Sequence, residues 1–169
     1  MSYKIQYIDN DVDLKDFDCN VKSINDFFKI EGYYQHIEKR NRTKVVLDKN
    51  NNVVAFYTLT FEIISVIEEM DIVKTPVLEV KYLAVDKNYQ VKKIGTSILM
   101  KIIAELEVQS EIIGGCGIYI RALLDKKQWY LDRGFTEIEV HNYDDEYTVP
   151  LYWNLRNEEL LDAYFDEEE

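Results

Sequence analysis

The chain contains 169 residues, of which 47% are hydrophobic, and its formal net charge is −12. This length supports one well-buried core and is short for two ordinary domains. The negative charge argues against general binding to nucleic acids, which requires a basic excess to neutralise phosphates. Because the sequence has neither a run of about 18 uncharged apolar residues nor a basic and apolar leader, we expect a cytoplasmic protein without a membrane segment.

Cysteine and histidine are too few and too scattered to indicate a metal centre. Cys19 and Cys116 lie far apart and form no Cys-x-x-Cys pair, so neither a disulfide framework nor a zinc site follows from them. The histidines are His36 and His141, and the carboxylates show no ligand-like spacing around them. We therefore predict reduced thiols and no bound metal.

The negative charge is concentrated at the carboxyl end. Residues 157–169 contain seven acidic side chains and neither Lys nor Arg. Such a run is more typical of a solvated, partly frayed terminus than of an interaction arm. We therefore predict one domain over residues 1–156, followed by an acidic tail over residues 157–169.

The amino-terminal half alternates between strand and helix patterns. Alternation over residues 3–8 predicts a first strand. Helical spacing over residues 23–38 predicts one interrupted helix or two short helices, with a break near Gly32. Residues 43–48 and 53–66 are rich in β-branched and aromatic side chains and flank a polar turn, so they predict a β-hairpin.

The next elements are a central strand and the longest helix. Residues 70–76 indicate a hinge, and residues 77–85 are apolar on both faces, as is typical of a central strand. Apolar residues then recur at helical spacing over residues 95–108, which predicts a helix. A short buried strand is expected over residues 118–123 after a cluster of glycines.

The carboxyl-terminal elements complete a sheet that combines antiparallel hairpins with one strand–helix–strand crossover. A short helix over residues 125–132 is expected to start with a capping box of Asp125 and Gln128 and to end at Gly134. Residues 135–140 and 147–155 predict two further strands. The fold class is therefore α/β, or α+β in some schemes.

The loop between the central strand and the long helix has the features of an anion site. A helix N-terminus presents backbone N–H groups and partial positive charge, and anions bind there. Lys92 and Lys93 add charge, and Thr96 and Ser97 add hydroxyl donors, which suits a diphosphate. On physical grounds alone, an ordinary surface turn is the alternative interpretation.

Three segments around this loop form a longer pattern: Lys81-Tyr82-Leu83-Ala84-Val85-Asp86, Tyr89-Gln90 and Ile94-Gly95-Thr96. The pattern resembles the acetyl-CoA signature of the GNAT acetyltransferases, whose loop normally reads Gln/Arg-x-x-Gly-x-Gly/Ala. Gln90 matches the first position and Gly95 the last, whereas Lys93 occupies the position of the middle glycine. The resemblance implies that acetyl-CoA is the cosubstrate and is bound by Leu83, Ala84, Val85, Gln90, Val91, Lys92, Lys93, Ile94, Gly95 and Thr96.

A second motif reads Trp129-Tyr130-Leu131-Asp132-Arg133-Gly134-Phe135. It resembles the Phe-Tyr-x-x-x-Gly-Phe segment of the same family. The resemblance implies a mixed, mostly antiparallel sheet of six to seven strands, splayed in the middle and flanked by about four helices. It also implies direct attack of a primary amine on the thioester, with Tyr130 as the general acid that protonates the CoA thiolate.

The base that deprotonates the amine stays unassigned at this point. Glu79 and Glu62 are candidates, because both are acids within apolar strand sequence, where burial would raise the pKa of a carboxyl group. The alternative is that each side chain points to solvent or pairs with a lysine such as Lys81.

The amino-terminal half extends the resemblance to one branch of the family through Phe17-Asp18-Cys19, the helix around residues 24–28, and Ala55-Phe56-Tyr57-Thr58-Leu59. That branch includes the GNAT toxins of bacterial toxin–antitoxin pairs, which acetylate aminoacyl-tRNA. We place an amine of a small molecule or peptide ahead of tRNA as the acceptor, because basic residues cluster only at Lys39, Arg40, Arg42 and Lys44.

Two further hypotheses concern activity and partners. A lysine at position 93 would also suit a CoA-binding or interaction module that has lost catalysis. An antitoxin partner follows only from the toxin-like interpretation. The aromatic strand over residues 147–155 could form a homodimer surface, although core packing is its favoured use.

Overall fold

The computed structural model describes residues 2–166. Its strands are β1 (Lys4–Tyr7), β2 (Arg42–Leu47), β3 (Val53–Glu68), β4 (Asp71–Val85), β5 (Gly117–Leu123), β6 (Thr136–Glu137) and β7 (Thr148–Asn154). Its α-helices are α1 (Lys22–Asp26), α2 (Gly32–Ile37), α3 (Ile94–Ile113), α4 (Lys127–Leu131) and α5 (Glu158–Asp166). The seven strands form one sheet in the order β1-β2-β3-β4-β5-β7-β6. This mixed, mostly antiparallel sheet with flanking helices confirms the predicted fold class.

The chain forms two compact units. Unit 1 contains the described residues up to Glu62 together with Glu79–Leu106, and unit 2 contains Ile63–Leu78 together with the described residues from Glu107 onward. The long strands β3 and β4 each supply residues to both units. No helix in the described part of the chain is long and apolar enough to span a membrane.

Aromatic packing organises the core of unit 1. Phe28 and Phe56 stack with ring centroids 4.0 Å apart, and Phe17 meets both rings edge-on at 5.0 and 5.5 Å. All three side chains are buried, and their cluster includes Ala84 of β4. Aromatic pairs of this kind add to the stabilisation that apolar burial supplies. The segment around Phe17 is therefore anchored next to the end of β4.

The core of unit 2 is smaller and lies around β5. Ile64, Val66, Val77 and Tyr119 are buried there, and partly buried apolar side chains, including Tyr152, pack against them. β5 pairs with β7 along its whole length, from Gly117 opposite Asn154 to Leu123 opposite Thr148. Continuous antiparallel pairing fixes which face of β5 is buried, because a slip of one residue would reverse it.

The hinge predicted over residues 70–76 is wrong. β4 begins at Asp71, and the turn before it is confined to Glu69 and Met70, whose φ angles are 48° and 73°. Pro76 lies within β4, where its carbonyl accepts a hydrogen bond from the Cys116 N–H at 2.8 Å. Because proline lacks an N–H but keeps its acceptor, it takes part in this pairing and is not a turn signal here.

The boundaries of the first helical region and of the long helix α3 also differ from prediction. The interruption in the first region is a π-helical segment (Phe27–Glu31) that runs directly into α2, with Phe27 and Phe28 both buried. Both side chains belong to the core cluster of unit 1, so the π-helical segment coincides with the point where this region is most deeply buried. α3 continues five residues beyond the predicted end at 108, and Gly114, with a φ of 81°, ends it.

The capping box predicted for Asp125 and Gln128 is wrong. A single 3₁₀ turn precedes α4, neither start has a side-chain cap, and the Gln128 Nε2 donates to Asp132 Oδ1 at 2.7 Å instead. α4 ends at Leu131, one residue before the predicted end, and Gly134 lies in the turn that follows, with a φ of 100° and an N–H that donates to the Leu131 carbonyl at 3.1 Å. Asp125 and Gln128 therefore form other contacts, with Lys126 and Asp132, whereas Gly134 has the positive φ that was expected of it.

The last predicted elements are partly altered. The strand expected over residues 135–140 is reduced to the two residues of β6, because the chain then changes partner and forms a bridge between Val140 and Val66 of β3. Residues 158–166 of the predicted acidic tail form α5, on which every side chain is exposed.

Candidate functional site

The predicted anion loop lies in unit 1, between β4 and α3. Of the residues predicted to bind the cosubstrate, Leu83, Ala84 and Val85 end β4, Gln90, Val91 and Lys92 form a 3₁₀ turn, and Ile94, Gly95 and Thr96 open α3. The side chain of Lys92 lies outside the part that the structure describes. α3 has 20 residues, so its N-terminus carries the partial positive charge of a full helix dipole. The structure thus brings these positions onto one strand–loop–helix junction.

Lys93 has a backbone conformation that favours glycine. Its φ is 56° and its ψ is 17°, in the left-handed region between the 3₁₀ turn and α3. A residue with a Cβ adopts this conformation at a cost of roughly 1–2 kcal/mol. The glycine-like turn is therefore present although the sequence carries lysine there. The Lys93 side chain is exposed.

Gln90 makes structural contacts in this loop. Its side-chain Nε2 donates to the Val85 carbonyl at 3.0 Å and to the Cys19 carbonyl at 3.3 Å. These bonds tie the 3₁₀ turn back to the end of β4 and to the segment before α1. The role of Gln90 in binding the cosubstrate stays a prediction, and its amide also stabilises the loop.

Asp18 and Asp86, which stand in the quoted motifs but are not among the predicted site residues, together organise the start of the loop. Asp86 is only 4% exposed, and its Oδ2 accepts a hydrogen bond from the Asp18 N–H at 3.0 Å. Asp18 in turn forms an ion pair with Lys87 at 2.9 Å. Each aspartate heads an Asp-x-Asn triplet, in which the carboxylate accepts the backbone N–H of the asparagine at 2.9 Å. These triplets are the sequence signal that could have revealed both turns.

Tyr130 lies on α4 in unit 2. Its side chain is 8% exposed, and its ring packs edge-on against Trp129 at 4.8 Å and Phe135 at 5.6 Å. Burial raises the pKa of the Tyr130 phenol from 10 to about 12. The hydroxyl therefore stays protonated at neutral pH, as a proton donor must.

The residues after Tyr130 hold its turn in place. The Tyr130 carbonyl accepts backbone N–H groups from Arg133 at 3.0 Å and Phe135 at 3.3 Å. The Arg133 guanidinium lies 4.0 Å from the Trp129 ring centroid, and its Nη1 donates to the Trp129 carbonyl at 2.7 Å. The motif therefore fixes the backbone on both sides of the phenol.

The structure separates the two candidates for the general base. Glu79 lies on β4 in unit 1 and is 3% exposed, whereas Glu62 on β3 is exposed. Functional carboxyl groups are commonly buried in sites that exclude bulk water. Burial therefore favours Glu79.

The basic cluster on β2 and the turn before it is partly neutralised. Arg40 pairs with Glu38 at 2.6 Å, and Lys44 pairs with Glu105 of α3 at 2.5 Å. The Arg42 guanidinium lies 4.5 Å from the centroid of the Tyr7 ring. Two of the four cations are therefore held in ion pairs, and a third, Arg42, stacks on an aromatic ring.

Comparison with known proteins assigns the family. The family model described as Acetyltransferase (GNAT) family matches residues 13–109, which is more than half of the chain. The chain belongs to the GNAT acetyltransferase family. The matched residues include the loop before α3, whereas Tyr130 lies beyond them. The predicted family and enzyme class are therefore confirmed.

Solved structures of similar fold extend over nearly the whole chain. A tyrosine-to-phenylalanine variant of KacT is 21% identical with a TM-score of 0.79, covering 95% of this chain and 99% of that one. AtaT complexed with acetyl-methionyl-tRNAfMet is 21% identical with a TM-score of 0.77, covering 95% and 99%. A variant AtaT toxin bound to the C-terminus of the antitoxin AtaR is 22% identical with a TM-score of 0.76, covering 94% and 97%. These likenesses show the GNAT fold. No curated protein matches the chain significantly.

Proposed function

We propose that this GNAT protein transfers an acetyl group from acetyl-CoA to a primary amine of a small molecule or peptide, and that residues 1–156 act as one catalytic domain. The observation that carries the proposal is the left-handed backbone of Lys93 between the 3₁₀ turn and α3. This turn leaves the N-terminus of a 20-residue helix at the end of β4, where a diphosphate is stabilised by backbone N–H groups and the helix dipole.

The cosubstrate residues have two tasks in this proposal. The loop and the first turn of α3 bind the pyrophosphate, and the exposed Lys93 adds a charge-assisted contact to a phosphate oxygen. The end of β4, from Leu83 to Val85, binds the pantetheine arm through main-chain groups, in the manner of an added strand. The chemistry follows at the thioester that this arm carries.

The reaction needs a neutral amine and a proton donor. Glu79 accepts the proton of the attacking amine, and the amine then adds to the thioester carbonyl to give a tetrahedral intermediate. The intermediate collapses with cleavage of the carbon–sulfur bond, and Tyr130 donates its proton to the departing thiolate. The nitrogen loses its remaining extra proton as the amide forms, and that proton restores the Tyr130 phenol. The raised pKa of Tyr130 supports this role, since the phenol holds its proton at neutral pH.

Charge supports a small acceptor. The chain has a formal net charge of −12, and Arg40 and Lys44 of the basic cluster are already paired with Glu38 and Glu105. A surface that steers a polyanion needs a basic excess. An amine is a cation before deprotonation, so the net negative charge of the chain favours its approach.

Aminoacyl-tRNA is the second candidate acceptor. It is favoured by the likeness to AtaT in complex with acetyl-methionyl-tRNAfMet, which extends over 95% of this chain. In this case the two cations outside those ion pairs, Lys39 and Arg42, would contact the phosphates. An antitoxin partner belongs to this candidate alone, and a homodimer stays a prediction in both cases.

Calorimetric titration with acetyl-CoA, followed by a thiol-release assay, tests the proposal. The amine panel contains small polyamines, amino acids, peptides and a charged tRNA, with the uncharged tRNA as control. We expect micromolar binding and thiol release with a small amine or peptide. Release with charged tRNA alone establishes the second candidate, and failure to bind acetyl-CoA overturns both.

Substitutions of Lys93 separate its charge from its backbone conformation. We expect Lys93→Ala to weaken acetyl-CoA binding by about 5-fold, because it removes a charge near the diphosphate and keeps the cost of the left-handed turn. Lys93→Gly removes the same charge but relieves that cost, so it should bind more tightly than Lys93→Ala. Calorimetry measures both values, with Lys49→Ala in the exposed β2–β3 turn as the control. Equal affinity of the alanine variant and the original protein would show that the lysine does not contact the phosphates.

A further inference from the structure

Asp86 has an unusual place for a carboxylate. It follows β4 directly, it is 4% exposed, and it lies at the start of the loop that we propose for a diphosphate. An uncompensated negative charge there would repel a second anion. The side chain must therefore be held by donors, and the contacts show which ones.

The hydrogen bonds described for the Asp86 carboxylate come from the loop before α3 and from the segment before α1. Its Oδ2 accepts the Asp18 N–H at 3.0 Å, and its Oδ1 accepts the Asn88 N–H at 2.9 Å and the Asn88 Nδ2 at 3.0 Å. The backbone of Asp86 donates to the Val54 carbonyl and accepts from the Tyr89 N–H, both at 2.8 Å. The residue thus joins β3, the loop and the segment before α1.

We infer that Asp86 is a positioning residue: its carboxylate joins the segment Asp18–Cys19, which we call the strap, to the acetyl-CoA loop and thereby holds the loop in its binding conformation. This inference rests on the proposed use of acetyl-CoA. Asp86 acts through backbone groups and makes no contact with the cosubstrate in this scheme. It would set affinity for acetyl-CoA and leave the chemical step to other residues.

The strap makes three further contacts with the loop. The Asp18 carbonyl accepts the Lys87 N–H at 2.8 Å, and the Asp18 carboxylate pairs with the Lys87 ammonium at 2.9 Å. The Cys19 carbonyl accepts the Gln90 side chain. The hydrogen bond from Lys87 is the main cause that holds the pKa of Asp18 far below its usual value of 3.8. Asp18 therefore keeps its charge, and the pair persists throughout the neutral range.

The strap is held by contacts within unit 1. Phe17, immediately before it, is 2% exposed in the aromatic core of unit 1. Within the strap, Asn25 of α1 accepts the Cys19 N–H at 3.0 Å and donates to the Asp18 carboxylate at 2.8 Å. The loop is thus attached through the strap to the aromatic core of unit 1 and to α1.

The left-handed turn at Lys93 explains why such support is needed. A non-glycine residue keeps a costly backbone conformation only when its surroundings hold it there. The strap and Asp86 provide that constraint from the other end of the loop. Without them, the loop would relax away from the conformation that exposes the α3 N-terminus, and ordering it again would reduce the binding free energy.

The test measures acetyl-CoA affinity by calorimetry in Asp86→Ala and Asp86→Asn. We expect about 10-fold weaker binding in Asp86→Ala, with a smaller change in kcat than in KM for whichever amine is turned over. Asp9→Ala is the matched control, because Asp9 also accepts a backbone N–H two residues later but lies in an exposed turn of the same unit. If Asp86→Ala does not fold, Asp86→Asn supplies the same measurement. The asparagine keeps the size of the side chain, but its NH₂ group would face the Asp18 N–H, so this hydrogen bond is lost.

Combining substitutions at Asp86 and Lys93 distinguishes positioning of the loop from a general loss of stability. The Lys93→Gly protein should bind acetyl-CoA more tightly than the Lys93→Ala protein. The ratio of their two dissociation constants should be about threefold larger when Asp86→Ala is also present. An equal ratio in both backgrounds, or unchanged affinity in Asp86→Ala, overturns the inference while the proposed function stands. If the unsubstituted protein does not bind acetyl-CoA, the proposed function fails first.

Discussion

Replacing Tyr130 by phenylalanine is expected to lower turnover by about 100-fold or more and to leave acetyl-CoA affinity within about twofold. General acid catalysis by a positioned side chain contributes typically 10²–10⁴-fold to a rate. The phenylalanine keeps the edge-on packing against Trp129 and Phe135 and removes only the hydroxyl. Steady-state kinetics with the identified amine, together with calorimetry, measures the two effects separately.

The control for this experiment is Tyr164→Phe, because Tyr164 is an exposed tyrosine of the same unit. Burial raises the pKa of Tyr130 to about 12, so the phenol remains protonated from pH 6 to pH 9. Activity should therefore show no loss from Tyr130 ionisation in that range. Full activity of Tyr130→Phe would exclude Tyr130 as the general acid and would leave protonation of the thiolate to water or to another group.

The second large effect is expected at Glu79. Glu79→Gln should lower turnover by about 100-fold near pH 7, because an amine that reaches the thioester in its protonated form cannot attack it. Glu62→Gln is the matched control, since Glu62 is an acid on the neighbouring strand β3 but is exposed. Its turnover should change by less than about twofold.

The pH dependence distinguishes a base from a structural acid. Amines lose their proton in solution at a pKa of about 8 for an α-amino group and about 10 for a lysine-like amine. The deficit of Glu79→Gln should therefore shrink as the pH rises from 7 to 10, since the fraction of neutral amine increases. A deficit that is constant with pH, or equal losses in both glutamate variants, would contradict the assignment.

At Lys93 the side chain differs from the glycine of the family's loop, whereas the backbone keeps a conformation that glycine favours. The sequence shows a lysine where the family normally has glycine, and that substitution raised the hypothesis of a module without catalysis. The φ of 56° shows that the turn keeps the conformation glycine would favour. The strap from Asp18 to Cys19 supplies a physical reason, because its contacts with Asp86, Lys87 and Gln90 hold the start of the loop.

Glycine and proline show how far local patterns extend. Gly134 was expected to stop a short helix, and it has a φ of 100° in the turn just after that helix, because a positive φ depends mainly on the backbone at that residue. Pro76 was expected in a hinge and lies inside β4, because pairing partners decide whether a strand tolerates a missing N–H. The capping box of Asp125 and Gln128 did not form, and the Gln128 amide bonds Asp132 instead.

Sequence patterns were sufficient to predict most of the element order, the loop between β4 and α3, and the position of Tyr130 on a short helix followed by a glycine turn. These features depend on hydrophobic periodicity and backbone preferences within short segments. The tertiary structure alone decided that Glu79 is buried while Glu62 is exposed, that Lys44 pairs with Glu105, and that Asp86 binds the backbone of Asp18, 68 residues away. Such contacts join segments that only the packing of the sheet and helices brings together, so no local pattern specifies them.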